Sequence, residues 1–260
     1  MQLEFYKYQG TGNDFILIDN RKEFFKNDTK LIAKLCDRKF GIGADGLILL
    51  ENHPHQEIDF KMVYFNADGK ESTMCGNGGR CLVHFAHFLG VFESKTQFMA
   101  VDGLHAAAIE NNEVSLQMQD VSFVKKISDS AYFTDTGSPH HVAFVDDLAN
   151  FQVYANGKEI RNSSLYGKEG SNINFVEVQP ETLFVRTYER GVEDETLSCG
   201  TGVTAAALVA YHSKQIIKSP VSIKTLGGSL QIAFIPKEGG FSNVFLKGPA
   251  QQVFKGSITC

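Results

Sequence analysis

The sequence predicts an α+β protein built of two pseudo-symmetric β-rich halves, each a mostly antiparallel sheet or barrel wrapped around one central buried helix. Three observations predict it. Strand-like patterning dominates the chain from end to end. Two segments, 79–89 and 202–213, are apolar on nearly every face, which marks a helix with no solvent side. Each of these follows a cysteine and a Gly-rich turn, Cys75-Gly76-Asn77-Gly78-Gly79-Arg80 and Cys199-Gly200-Thr201-Gly202. The halves therefore repeat one plan: strands, a C-G-x-G turn, a buried helix, then hairpins.

Taken in order, residues 3–8 alternate as a strand, and 15–19 form a second one across Gly10-Thr11-Gly12-Asn13-Asp14. A helix is expected over 29–37, where Leu31, Ile32 and Leu35 share a face and Asp28 can cap the N-terminus. Residues 47–50 are a buried-type run, and 59–65 is a strand that ends in the turn Asn66-Ala67-Asp68-Gly69. The first buried helix spans 79–89 and is closed by Gly90. A hairpin joins 104–109 to 114–119 around Asn111-Asn112. In the second half, strands are expected at 131–136, 140–145, 172–178 and 183–189, with a short helix at 148–155. The second buried helix covers 202–213, and a last pair of strands, 221–225 and 230–235, flanks Gly227-Gly228. The expected division is 1–119, carrying Cys75, and 120–249, carrying Cys199, with residues 250–260 returning to the first half. No Pro/Gly/Ser-rich linker marks the join, so the halves are expected to pack together with the site in the cleft between them.

Bulk properties narrow the function. A chain of 260 residues with 43% hydrophobic and 21% charged residues can bury a sizeable core. A net charge of −5 and scattered basic residues argue against a nucleic-acid partner. No apolar run reaches the roughly 18 residues of a membrane span. The N-terminus lacks the basic start and apolar core of a signal peptide, so an intracellular, cytoplasmic protein with reduced thiols is expected. Five cysteines with no C-x-x-C pair argue against a disulfide framework or a zinc site. Cys36 and Cys81 read as small buried hydrophobes and Cys260 as an exposed terminal residue.

Cys75 and Cys199 read differently. A thiol beside the amide N–H groups of a helix N-terminus becomes more acidic, and the same amides attract a carboxylate. The glycines allow backbone N–H groups to approach an anion closely. Two such sites suggest two thiols working on one substrate. Asn13, Asn66, Asn77 and Asn172 recur in turns or at strand ends, where Asn also serves as ordinary turn chemistry. Glu189 and Arg190, in Tyr188-Glu189-Arg190-Gly191, are suited to grip the ammonium and carboxylate of an amino acid, or else form a solvated strand end. His140 follows a Gly-Ser turn and is placed to tune a thiol, or is structural. Two opposed thiols in opposite protonation states can invert an α-carbon, one taking its proton and the other returning one on the far face. No metal-ligand cluster, phosphate loop or pyridoxal phosphate lysine is evident, so a reaction without cofactor is expected.

These residues closely resemble the diaminopimelate epimerase family, cofactor-independent epimerases with two cysteines, over almost the full length. Gly10-Thr11-Gly12-Asn13-Asp14-Phe15 resembles the family's G-x-G-N-D-F, Gly41-Ile42-Gly43-Ala44-Asp45-Gly46 its G-I-G-x-D-G, and Phe65-Asn66-Ala67-Asp68-Gly69 its F-N-A-D-G. The two cysteine turns and Tyr188-Glu189-Arg190-Gly191 resemble its remaining motifs in the same order. The resemblance implies two similar β-rich domains, each around a central helix. It implies conversion of LL-diaminopimelate to the meso form in lysine and peptidoglycan synthesis, and a homodimer. It implies Cys75 and Cys199 as the acid–base pair, and Asn13, Asn66, Asn172, Glu189 and Arg190 as substrate ligands. Gly76, Asn77, Gly200 and Thr201 would bond the reacting carboxylate, and His140 and Glu189 would modulate the thiols.

One departure stands out. Many members carry G-N-P-H where this chain has Gly137-Ser138-Pro139-His140. Ser138 inherits a substrate contact with a shorter reach that a water can bridge. A role for Asn174 is left open. Two other readings compete: a proline racemase-like or phenazine-biosynthesis-like isomerase acting on another substrate, and a redox-sensing dithiol protein in which Cys75 and Cys199 oxidise together.

Overall fold

The computed structural model describes residues 2–259. Seventeen strands and four α-helices occur among them. The first half runs β1 (Gln2–Gly10), β2 (Asn13–Asp19), α1 (Thr29–Cys36), β3 (Gly46–Glu51), β4 (Phe60–Asn66), α2 (Gly76–Phe88), β5 (Lys95–Ala100), β6 (Gly103–Glu110) and β7 (Glu113–Gln117). The second runs β8 (Lys125–Lys126), β9 (Ala131–Asp135), β10 (Pro139–Phe144), a 3-10 turn (Leu148–Asn150), α3 (Val153–Arg161), β11 (Asn172–Val178) and β12 (Leu183–Glu189). It continues with β13 (Asp194–Thr196), α4 (Gly200–His212), β14 (Val221–Thr225), β15 (Gly228–Lys237) and β16 (Gly240–Pro249), and β17 (Gln251–Thr259) ends the chain. Two compact units result: Met1–Leu116 with Gly248–Cys260, and Gln117–Lys247. Cys260 itself falls outside the described residues.

In the first unit β1 and β2 form a hairpin across Thr11 and Gly12, both at positive φ, the backbone that a tight two-residue turn needs. β17 pairs antiparallel with β1. β2 and β3 are parallel, β3 and β4 antiparallel, β4 and β5 parallel, and β5 to β7 an antiparallel meander turned by Asn111 and Asn112. The continuous apolar runs of β2 and β3 follow from burial on both faces. One face packs Ile16, Ile18, Leu47 and Leu49 against Ile32 and Leu35 of α1. The other carries Phe15 and Ile48, which lie against Gly78 of α2. From Gly76 to Ala86 only His84 is not fully buried in α2.

The second unit repeats this pairing pattern strand for strand. β9 and β10 are antiparallel, β10 and β11 parallel, β11 and β12 antiparallel, β12 and β14 parallel, and β14 to β16 an antiparallel meander. α3 sits in the chain where α1 does, and covers one sheet face through Val153 against Ile173, Phe175 and Tyr188. α4 matches α2, with every residue from Gly202 to Ala210 buried.

The expected helix at 148–155 is corrected. The chain makes one 3-10 turn at Leu148–Asn150, and α3 starts only at Val153. Gly157 hides this helix in the sequence, since glycine reads as a breaker. It is required because a Cβ there would strike the Tyr188 side chain. Both buried helices also start earlier than the turns suggest, at Gly76 and Gly200. The Gly-rich segments are themselves the first helical turns, closed by Gly79 N–H to Cys75 O at 2.7 Å and Val203 N–H to Cys199 O at 2.9 Å.

Candidate active site

Because the helices begin at Gly76 and Gly200, Cys75 and Cys199 are their N-caps, both with extended backbone. Neither side chain caps its helix, which leaves the first-turn N–H groups directed at whatever lies beside the sulfur. Cys199 is 6% exposed and Cys75 is half-buried.

In the first unit the sulfur of Cys75 lies 3.6 Å from Asn13 Oδ1. A chain of amides fixes that oxygen in place. Asn13 Nδ2 donates to Asp45 Oδ2 at 2.6 Å, and Asn77 Nδ2 donates to Asn13 Oδ1 at 3.4 Å. Asn77 Oδ1 in turn accepts from Arg80 Nη2 at 3.0 Å. A guanidinium only donates and a carboxylate only accepts, so the chain has one polarity from Arg80 to Asp45. Arg80 is wholly buried, and its other bonds reach Thr11 Oγ1, Gly76 O and Pro249 O. Asp45 is held by Arg38 at 2.7 Å, and Arg38 also binds Asp14 at 2.6 Å, which pairs with Lys7 at 2.6 Å. Asn66 lies exposed at the end of β4, where its backbone accepts from Gly69 N–H at 2.9 Å to form the turn.

In the second unit Cys199 Sγ is 3.5 Å from Thr201 Oγ1. Thr201 Oγ1 is 3.5 Å from Ser138 Oγ, which is 3.3 Å from His140 Nε2. Asn172 Nδ2 donates to Ser138 Oγ and to Pro139 O, each at 3.3 Å, while its Oδ1 accepts the Arg190 N–H at 2.9 Å. Asn174 Nδ2 contacts His140 Nδ1 at 3.1 Å and donates to His141 O at 2.8 Å. Burial, with the nearby Arg190 charge adding to it, pushes the His140 imidazole down to about 3, so it is neutral across ordinary pH. The Arg190 guanidinium is held by Glu169 O at 3.2 Å, and Glu189 Oε2 accepts from Thr196 Oγ1 at 3.0 Å.

The structure thus gathers Cys75, Gly76, Asn77 and Asn13 at one helix start. It gathers Cys199, Gly200, Thr201, Ser138, His140, Asn172 and the Arg190 backbone at the other. Sequence reasoning gave no role to Arg80, Asp45 or Thr187. Arg80 was detectable as a charge inside an apolar helix, and Asp45 as the one carboxylate of a Gly-rich motif. No helix among the described residues is long and apolar enough to cross a membrane.

The diaminopimelate epimerase sequence profile matches residues 5–127 and 132–253. The chain belongs to the diaminopimelate epimerase family. It is 57% identical to the diaminopimelate epimerase of Flavobacterium psychrophilum over 259 residues, covering 98% of this chain and 100% of that one. It is 42% identical to that of Chlorobaculum tepidum, covering 96% and 99%. In fold it is similar to a Bacillus anthracis phenazine biosynthesis protein of the PhzF family, with a TM-score of 0.75, 13% identity and full coverage of both chains. It is likewise similar to a probable proline racemase from Agrobacterium radiobacter, with a TM-score of 0.69, 13% identity and coverage of 99% and 93%. The chain is accordingly an epimerase of the isomerase class, and its two-domain, sheet-rich fold is the one expected from the sequence.

Proposed function

We propose that this protein interconverts LL- and meso-2,6-diaminopimelate through a thiol and a thiolate, in lysine and peptidoglycan precursor synthesis. The observation that carries the reading is the placement of Cys75 and Cys199, each as N-cap of a buried helix whose first turn is Gly-rich. The thiolate takes the α-proton and the other thiol delivers its proton to the opposite face of the carbanion. The stereocentre inverts, the two sulfurs exchange protonation states, and no electron is gained or lost. N–H groups of Gly76, Asn77, Gly200 and Thr201 bond the α-carboxylate and stabilise the charge that develops on it. Asn13, Asn66, Asn172, Glu189 and Arg190 bind the rest of the amino acid, with Ser138 orienting Asn172. The reaction needs no cofactor, and the cytoplasmic homodimer implied by the resemblance belongs to the same reading.

The test is α-proton exchange in deuterated water on diaminopimelate, with proline as the comparison substrate. Exchange is expected on diaminopimelate alone. Cys75→Ala and Cys199→Ala should each abolish epimerisation while the far-ultraviolet spectrum is unchanged. Full activity in either variant would refute the two-base mechanism, and exchange on proline alone would refute the substrate.

A further inference from the structure

The hydrogen bonds around Cys199 have a direction that can be worked out from groups whose roles are fixed. A backbone carbonyl only accepts and a backbone N–H only donates. Asn174 gives two hydrogens, one to His141 O at 2.8 Å and one toward His140 Nδ1 at 3.1 Å, while its oxygen accepts from Thr187 Oγ1 at 2.9 Å. His140 Nδ1 is therefore an acceptor. A neutral imidazole carries its one hydrogen on the other nitrogen, so Nε2–H donates to Ser138 Oγ. Asn172 is fixed the same way, by the Arg190 N–H on its oxygen and Pro139 O on its nitrogen. Its amide also donates to Ser138 Oγ. Ser138 Oγ thus receives two hydrogens, and its own hydrogen points on to Thr201 Oγ1. The Thr201 hydroxyl, accepting from Ser138, keeps its own hydrogen to give, and Cys199 Sγ lies 3.5 Å away.

We propose that Thr201 is a positioning residue that presents a hydroxyl hydrogen to Cys199, with Ser138 setting its direction, so that Cys199 rests as the proton acceptor of the pair. This rests on the two-thiol reading and adds a role for the Thr201 side chain beside its backbone N–H. His140, Asn174 and Thr187 are at most 1% exposed, so water does not compete for the far end of the chain. Gly202 keeps the path open, since a Cβ there would strike Asn174 Oδ1 and lie 3.3 Å from Cys199 Sγ. The serine at 138 suits this role, because a hydroxyl can take two hydrogens and pass one on. Other ionisable groups at this end include Asp135 on β9, His140 and His141 on β10, Tyr166 bonded to His141, and Glu189 and Arg190 where β12 ends. None of them is altered in the test.

The experiment is iodoacetamide labelling of the full-length protein between about pH 5 and 10, with each thiol read by peptide mass spectrometry. Cys75 in the same sample is the internal reference. Thr201→Val is expected to raise the Cys199 midpoint by about one pH unit, the effect of losing one hydrogen bond to a charged group. Thr201→Ser should restore it, and Ser138→Ala should raise it by less than Thr201→Val. The Cys75 midpoint should stay in place throughout. An unmoved Cys199 midpoint in Thr201→Val, a Thr201→Ser protein as shifted as the valine one, or an equal shift at Cys75 would each overturn the proposal. Labelling uses no substrate. A protein that shows the expected shifts yet exchanges no proton on diaminopimelate would sustain the hydrogen-bond direction and refute only the substrate.

Discussion

Asp14→Asn should destabilise the first unit by about 3 kcal/mol, and the structure says why the cost is that large. Lys7 points inward from β1, where a register shift between Lys7 and Tyr8 buries two successive side chains. Its side chain is 9% exposed, and its ammonium has two oxygen partners, the Gly43 carbonyl and Asp14 at 2.6 Å. Removing one partner of a buried pair costs roughly 3–5 kcal/mol, because the other charge stays desolvated. The surviving bond to Gly43 puts the cost at the low end. Arg38 binds the same carboxylate at 2.6 Å, but it is 58% exposed, so Arg38→Gln should cost less than about 1 kcal/mol. Urea unfolding followed by far-ultraviolet circular dichroism measures both, with the transitions of the two units treated separately. An Asp14→Asn cost below about 1 kcal/mol, or an equal cost for Arg38→Gln, would refute the argument.

The same carboxylate predicts an acid limb. Burial alone would raise its pKa, but the hydrogen bonds from Arg38 and Lys7 outweigh burial and hold it well below the usual carboxylate range. The folded state then binds fewer protons than the unfolded one. This contribution is complete above the unfolded pKa of about 4 and is lost progressively as pH falls below it. Asp14→Asn should flatten the acid limb of the stability profile, and an unchanged limb would assign acid lability to other groups.

Two further substitutions probe the helix starts. Gly202→Ala should lower stability by about 1–3 kcal/mol, although alanine is the better helix former. The added methyl meets Asn174 Oδ1 and Cys199 Sγ. Thermal unfolding checks this, and a rise in melting temperature would show that the cradle can relax. Asp28→Ala should cost about 1 kcal/mol, since Asp28 accepts from Lys30 N–H at 2.9 Å and Leu31 N–H at 3.0 Å. It should leave turnover unchanged, and a loss of turnover would connect α1 to the chemistry.

How far the sequence could be read depended on whether a feature is local. The two buried helices showed because a segment apolar on all faces has no other soluble home, and Asp28 showed because a cap is set by its next three residues. The runs at 47–50 and 172–178 showed for a related reason: the same strands are buried on both faces. β5, the two-residue β8, β13, β16 and β17 were missed. β5 does alternate, with Thr96, Phe98 and Ala100 buried. β17 is held by β1, some 250 positions away along the chain, and none of its residues is buried, so its own pattern says little. At the site, the thiols and glycines were legible as types at fixed spacing. The partners that orient them were not. Asn13 meets Asp45, and Asn174 meets His140, only through the sheet register and the return of the helix.

For the proposed two-thiol mechanism the internal repeat explains part of what is needed, and it leaves a remainder. Repeating one unit gives each sulfur the same place, at the N-cap of a buried helix. The proposed turnover needs them unequal, one protonated and one not. The inequality must come from what differs between the units, and the residues in contact with the sulfurs do differ. Cys75 faces Asn13 Oδ1, an oxygen that the chain from Arg80 to Asp45 fixes as an acceptor, and an acceptor favours S–H. The buried guanidinium of Arg80 interacts with Cys75 in the opposite sense. Cys199 lies 3.5 Å from the Thr201 hydroxyl, whose hydrogen, in the direction proposed above, favours the thiolate. On this argument the repeat supplies two equivalently placed thiols, and Asn13 and Thr201, whose side chains the repeat does not share, set which of them starts the proposed reaction as the thiolate.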